Sequence, residues 1–252
     1  MFKTIKDSTF LAFAHRGGND FAPENTFESF QFAVENGFKY LETDVHPTSD
    51  NKLMAFHDPT LDRVTNTEGR IIDFSSIDLK KVKVKNNYRI PLMEELLEAF
   101  PDCFFSIDMK CDKSVKPLID LIKRKNAVEK VCFASFNQNR LNFVRESFNN
   151  KCITSMGPKE IVTAKICSYI NININIASRL ASMPISRYNI KLINKRSIAY
   201  LKSLNIKVIA WTINSEDQMK NLIALGVDGI MTDKLKLLKR ILIEKNLWQQ
   251  TK

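Results

Sequence analysis

The stretch LETDVHPTSD, residues 41 to 50, sets Glu42 and Asp44 two apart in a run that reads as a β-strand, so both carboxylates leave one face. Unpaired negative charge in a buried sheet is costly, so the pair calls for a partner. The run CFFSIDMK repeats the pattern: Ser106, Asp108 and Lys110 share one face, and Phe105, Ile107 and Met109 take the other. Three carboxylates brought together repel one another, at about 4 kcal/mol for a like-charged pair ~4 Å apart in an effective dielectric of 20. Two arrangements answer that repulsion. Glu42, Asp44 and Asp108 form an all-oxygen set that suits a hard divalent cation, Mg²⁺ or Ca²⁺, with water or substrate oxygens completing the shell. Alternatively, Lys110 and Arg16 neutralise the acids in a salt-bridge cluster.

The histidines favour chemistry. The chain has three, His15, His46 and His57, all at or just after the first two strand-like runs. His15 in AHRGG and His57 in FHDP stand at strand ends, where imidazole, titrating near neutral pH, serves as acid and base. Arg16, beside His15, offers planar donors that match phosphate oxygens. His46, followed by Pro47, reads as structural support.

These side chains need a frame that gathers strand ends. Short β-branched runs alternate with amphipathic stretches along the whole chain, the pattern of a parallel sheet with crossover helices. The strand candidates are TFLAFAH, YLETDVH, CFFSIDMK, KVCFASF, KCITSM, INININIA, IKVIAWTIN and GVDGIMT. Six helix candidates lie between or after them, among them NTFESFQFAVENG and KLKLLKRILIEKN, with Ser215 as a cap and Gly37 and Gly226 as stops. Eight such units in 252 residues fit a single (β/α)8 barrel over residues 1–252, whose active site belongs at the C-terminal ends of the strands. No GxGxxG or P-loop motif supports an open nucleotide-binding sheet. One connection is long and polar, with residues 58–90 forming an insertion in the position of a lid.

Composition narrows the setting. With 44% hydrophobic residues the chain can bury a full core, and no stretch approaches the ~18 apolar residues of a membrane span. The opening MFKTIKDSTFLAFAHRGG lacks the apolar core of an export signal, so a soluble cytoplasmic protein is expected. Five cysteines without CxxC spacing read as reduced, mostly buried thiols. The net charge of +10 suits an anionic small substrate or a weak association with a membrane surface, and its scattered lysines without interleaved aromatics speak against nucleic acid.

In order along the chain, HRGGNDFAPENT, ETD, HDPTLDRVTN, IPLMEEL, AWTIN and GVDGIMTD closely resemble the glycerophosphodiester phosphodiesterase family, over His15 to Asp233. The resemblance implies a (β/α)8 barrel hydrolase that uses a divalent metal to cleave glycerophosphodiesters to glycerol 3-phosphate and an alcohol. It implies acid and base roles for His15 and His57, metal binding by Glu42 and Asp44, and phosphate contacts from Arg16 and Lys110. Glu24 and Asn25 match the family's ENT motif at the site, and Trp211 an aromatic beside the glycerol or the leaving group. The third metal ligand of the family is usually glutamate, whereas SIDMK offers Asp108, shorter by one methylene or roughly 1.5 Å of reach. Ca²⁺ tolerates the resulting irregular shell better than Mg²⁺.

Two rivals remain at this level. One is a lysophospholipase D-like lipid phosphodiesterase working at a membrane surface, to which the basic, amphipathic last helix lends support. The other is a non-catalytic barrel that binds phosphodiesters. For choline as the leaving alcohol, Trp211, Phe21 and Tyr88 are the aromatic candidates.

Overall fold

Alternation along a strand decides which side chains fill a barrel and which meet its helices. In the computed structural model, which describes residues 10–85, 87–170 and 172–248, that alternation wraps into a nearly closed barrel. Its parallel strands are β1 (Leu11–Ala14), β2 (Tyr40–Pro47), β3 (Phe104–Met109), β4 (Val131–Ala134), β5 (Ile153–Thr154), β6 (Leu180–Met183), β7 (Lys207–Ala210) and β8 (Gly229–Thr232). Sequence neighbours pair all the way round except at β5 and β6, which share only an isolated bridge, and β8 pairs with β1 through Leu11↔Gly229 to Ala14↔Thr232. The eight helices that follow the strands in turn are α1 (Phe27–Glu35), α2 (Met93–Ala99), α3 (Val115–Arg124), α4 (Gln138–Ser147), α5 (Pro158–Ile170), α6 (Lys195–Ser203), α7 (Glu216–Leu225) and α8 (Leu235–Glu244).

The barrel interior holds a layer to which every strand contributes. Leu11 and Phe13, Tyr40, Phe104, Cys132, Ile153, Leu180, Ile209 and Met231 pack together there, with Phe13 tilted against Tyr40 at 5.2 Å between ring centroids. Residues of opposite parity, such as Leu41, Val45, Phe105, Ile107, Phe133 and Val208, join the larger cluster between sheet and helices. Leu235, Leu238, Ile241 and Leu242 of α8 belong to that cluster and are fully buried or nearly so. The apolar face that suggested a membrane-surface helix is thus spent on the core, where each side chain contributes roughly 1.5–3 kcal/mol.

One junction is thin. β5 has two residues, and its seam with β6 holds the isolated bridge Ser155↔Leu180, with hydrogen bonds from the Met156 N–H to the Leu180 carbonyl at 2.8 Å and from the Arg179 N–H to the Thr154 carbonyl at 3.2 Å. The buried Arg145 of α4 spans the gap. It donates to Thr154 Oγ1 at 2.9 and 3.0 Å and to Ser178 Oγ at 2.7 Å, and it pairs with Glu160 Oε1 at 2.9 Å.

Seven strand candidates hold and one does not. INININIA forms no strand: α5 runs through Ile170, residues 172–178 have no regular structure, and Ile172 is 52% exposed. The sixth strand is instead LASM. A barrel strand is buried on both faces, so apolar-polar alternation was the wrong template for it. No candidate covered α2 or α5, the latter being apolar on most sides. Ser215 stands at the start of α7 without a side-chain capping bond, whereas Gly226 ends that helix in the left-handed region.

The insertion is more than a polar loop. The short strand Leu53–Ala55 pairs antiparallel with β2, and Met54, Phe56, Leu61, Ile71, Leu79, Val82, Val84 and Ile90 form a buried cluster of their own. The opening stretch read for an export signal lies outside the described residues as far as Thr9. No helix among the described residues is long and apolar enough to cross a membrane. Four of the five cysteines are buried and all five are free, as the spacing suggested.

Candidate active site

Counting on from the interior layer gives the site. Two residues past Phe13 stands His15; past Tyr40 come Glu42 and Asp44; past Phe104 come Ser106 and Asp108; past Ile209 comes Trp211; and past Met231 comes Asp233. Strand parity therefore carries the inward face up to the C-terminal mouth and changes its chemistry from apolar to ionisable. β2 and β3 pair with Asp44 directly beside Asp108 and Glu42 beside Ser106.

The turn after β1 is built to deliver two groups. Arg16 has φ +51°, a conformation that costs a non-glycine residue roughly 1–2 kcal/mol. It is held there because its N–H donates to Glu42 Oε2 at 3.1 Å and its carbonyl accepts the Asn25 N–H at 2.8 Å. A Cβ on Gly17 would lie 2.3 Å from Ser29 Oγ, so α1 can approach only a glycine. The ENT triplet divides its work. Glu24 accepts from Arg16 at 2.9 Å and from Arg63 at 2.6 Å, Asn25 donates to Asp44 Oδ2 at 3.2 Å, and Thr26 caps α1 by accepting the Ser29 N–H.

Lys110 stands between two carboxylates, with Nζ 2.7 Å from Asp44 Oδ1 and 2.8 Å from Asp108 Oδ2. Arg16 Nε lies 3.2 Å from Asp44 Oδ2, an ion pair without hydrogen-bond alignment. Burial works to raise the Asp44 carboxyl, but Lys110 and Arg16 outweigh it and hold the group below its ordinary value. Asp108 goes the other way, raised by burial and by the charge of Asp44, with Lys110 in partial opposition. Glu42 is pushed up to about 7, first by burial and then by Asp44. Of the three acids, Asp44 is the one whose charged form its surroundings favour, while burial works against the charged forms of Glu42 and Asp108.

Both end-of-strand histidines are oriented by carboxylates. His15 Nδ1 lies 2.6 Å from Asp233 Oδ1, and its Nε2 is 3.9 Å from Glu42 Oε2. Burial disfavours its charged form, yet the bond to Asp233 and the charge of Glu42 prevail and raise its pKa. Asp233 is itself held by Asn214, whose Nδ2 donates to Oδ2 at 2.7 Å. His57 Nδ1 lies 2.6 Å from Asp58 Oδ1, and Asp58 Oδ2 accepts from Arg63, which returns to Glu24 and so to Arg16. His46 is buried, with Nε2 3.0 Å from the His57 carbonyl, a supporting position as expected.

The structure thus gathers His15, Arg16, Glu24, Asn25, Glu42, Asp44, His57, Asp108 and Lys110 into one network. Trp211 borders it through Phe136, whose ring meets the indole edge-on at 5.9 Å and whose centroid is 6.0 Å from Lys110 Nζ. Phe21 and Tyr88 do not join this wall. Phe21 stacks on Phe32 at 5.3 Å, and Tyr88 packs on the core of the insertion. Reading the sequence assigned no role to Asp58, Arg63, Asn214 or Asp233. The signal was there, since they sit inside HDPTLDR, AWTIN and GIMTD. Phe136 carried no signal.

The donor set tests the fit of a cation. Asp108 Oδ1 is buried without a hydrogen-bond partner, and burial raises two of the three acids, which fits oxygen ligands for a hard ion. Among the described residues no three acids, cysteines or histidines are grouped closely enough to share an ion as they stand. The Lys110 ammonium occupies the space between Asp44 and Asp108 and takes part of that role.

A family model described as "Glycerophosphoryl diester phosphodiesterase family" matches residues 15–237. The chain belongs to that family. The phosphodiesterase is similar to the probable glycerophosphodiester phosphodiesterase 2 of Mycobacterium tuberculosis, 28% identical over 94% of this chain and 92% of that protein. It is also similar to the glycerophosphodiester phosphodiesterase of Caldanaerobacter subterraneus, 30% identical over 88% of this chain and 93% of that one. Its barrel superposes on a phosphodiesterase of Oleispira antarctica, solved in complex with the product sn-glycerol-3-phosphate. That match has a TM-score of 0.76 and 20% identity, and it covers 92% of this chain and 96% of the other. The activity read from its motifs is therefore the activity of its family.

Proposed function

We propose that the barrel mouth hydrolyses glycerophosphodiesters to glycerol 3-phosphate and an alcohol, with His15 and His57 as acid and base. Glu42, Asp44 and Asp108 hold a divalent cation, Mg²⁺ or Ca²⁺, and the chain 1–252 works as one cytoplasmic catalytic unit with residues 58–90 as its insertion. The observation that carries this reading is the matched pair of imidazoles, each with Nδ1 on an aspartate at 2.6 Å. That contact fixes the tautomer and ring orientation and leaves Nε2 to meet the substrate. The product-bound relative supports the product assigned here.

Each residue has a separable part. Lys110 uses two of its three donors on Asp44 and Asp108, so a third is left for a phosphoryl oxygen. Arg16 keeps donors beyond the one given to Glu24 and adds charge where negative charge develops. One histidine takes the proton from the attacking oxygen, of water or of a glycerol hydroxyl that closes a cyclic phosphate for water to open afterwards to glycerol 3-phosphate, and the other gives a proton to the departing alcohol. Glu24 and Asn25 keep Arg16 and Asp44 in place. A bound divalent cation supplies Lewis-acid neutralisation at the phosphoryl group.

The test is incubation of purified protein with a panel of glycerophosphodiesters, lysolipids and a nucleotide diester, with Mg²⁺, Ca²⁺, Mn²⁺ or EDTA, followed by product identification. Glycerol 3-phosphate is expected, and His15→Ala and His57→Ala are expected to lose most turnover. Normal turnover in both variants overturns the acid and base assignment. Preferential cleavage of lysolipid would instead make this a lipid phosphodiesterase, and metal-dependent binding without product a binding protein.

A further inference from the structure

The barrel mouth is asymmetric. Beside β1 and β2 it is walled by the insertion and its buried cluster. Beyond β4 and β6 it is open, with Phe136 54% and Tyr188 84% exposed. Tyr188 sits at the turn of a hairpin that pairs Ser186–Arg187 with Ile190–Lys191, between β6 and α6. A phosphodiester centred on Arg16 and Lys110 has two substituents to place. The constant glycerol suits the walled half, and the variable alcohol suits the open one.

In that open half, protein cations stand over the rings of Phe136 and Tyr188. The Arg187 guanidinium lies 5.8 Å from the centroid of Phe136 and 5.2 Å from that of Tyr188, and Lys110 Nζ lies 6.0 Å from the same Phe136 ring. Phe136 in turn makes a T-shaped contact with Trp211. A quaternary ammonium group is recognised by electron-rich ring faces free of positive charge. Here two protein cations occupy that position. Arg187 is exposed and stands over both rings, so its charge is presented to whatever leaves by this side.

We propose that Arg187 is a specificity determinant of the phosphodiesterase, ranking leaving alcohols by charge. Alcohols that carry a further anionic group come first, neutral polyols second, and choline last. The proposal rests on the hydrolytic reading above and names the substrate class of that same site. Arg187 acts by direct contact with the leaving group, as a planar donor to anionic oxygens and as a repeller of cations.

The experiment measures kcat/KM for glycerophosphoinositol 4-phosphate, glycerophosphoinositol and glycerophosphocholine with the wild type, Arg187→Gln and Arg187→Lys. The wild type is expected to follow that order. Arg187→Gln should lower the ratio of the anionic to the choline diester by about tenfold, the scale of one partly desolvated cation contact, mainly through KM. Arg187→Lys should keep most of the ratio. Raising the salt concentration should compress the wild-type ratio too, a measurement that needs no variant. A wild-type preference for the choline diester, or a ratio unmoved by Arg187→Gln, overturns the proposal. Release of no glycerol 3-phosphate from any of the three diesters overturns the hydrolytic reading itself, and is told apart by that.

Discussion

His15 and Asp233 are 218 residues apart in the chain and 2.6 Å apart in space, Nδ1 to Oδ1, because closing the barrel lays β8 against β1. The carboxylate does for His15 what Asp58 does for His57. Asp233→Asn keeps the shape but offers the imidazole a neutral partner, so it should lower kcat by about 10²-fold, within the range that general acid-base catalysis supplies. KM should stay close to wild type, since Asp233 is not placed against the phosphate. Steady-state release of glycerol 3-phosphate checks both, and a large rise in KM with kcat intact would refute the positioning role.

The unpartnered oxygen of Asp108 leads to a prediction about metal. Ion binding to the folded state alone stabilises by about 2.7 kcal/mol at a hundred times the dissociation constant, which raises Tm by roughly 5–10 °C in a chain of this size. Mg²⁺ or Ca²⁺ should therefore raise the melting temperature of the wild type, and Glu42→Gln should lose most of that gain. Thermal unfolding with and without EDTA measures this without reference to activity. An equal shift in both proteins would place the ion elsewhere.

Arg145 tests the thin seam between β5 and β6. Arg145→Met takes the cation from Glu160, which keeps only its bonds from the Gly157 N–H and the Ser178 hydroxyl, and removal of one member of a buried ion pair costs about 3–5 kcal/mol. The midpoint of urea unfolding should fall accordingly. The double variant Arg145→Met with Glu160→Leu should recover a good part of the loss, because no buried charge is then left alone.

Asp50 gives a pH dependence of known sign. Its slight burial acts to raise the pKa, but hydrogen bonds from the Thr48 hydroxyl and from the Ser76 hydroxyl and N–H overcome this and bring it down to about 2. A depressed carboxyl binds its proton more readily in the unfolded chain. Its stabilisation is therefore complete above about pH 4 and is lost as the pH falls towards 2. Asp50→Asn should destabilise the protein at neutral pH by less than about 1 kcal/mol, given the solvent around the group. The difference in melting temperature between the two proteins should shrink on acidification. A difference that grows at low pH would contradict this account.

The sequence by itself determined the barrel, seven of its eight strands and the face on which each key side chain lies. Strand parity and residue type are local properties, and in a barrel a residue's parity decides whether it points inward. Glu42, Asp44, Asp108 and Lys110 were legible for that reason, and His15 and His57 because they end strands. LASM was not legible, since a short strand buried on both faces shows no alternation, and INININIA displayed one without forming a strand. Only the tertiary structure decided how those groups are shared out: Lys110 between two acids, Asp233 on His15, Arg145 across the seam, and Arg187 over Phe136. Those contacts join different strands and loops, and distances across the barrel are set by its closure, which no local pattern in the chain records.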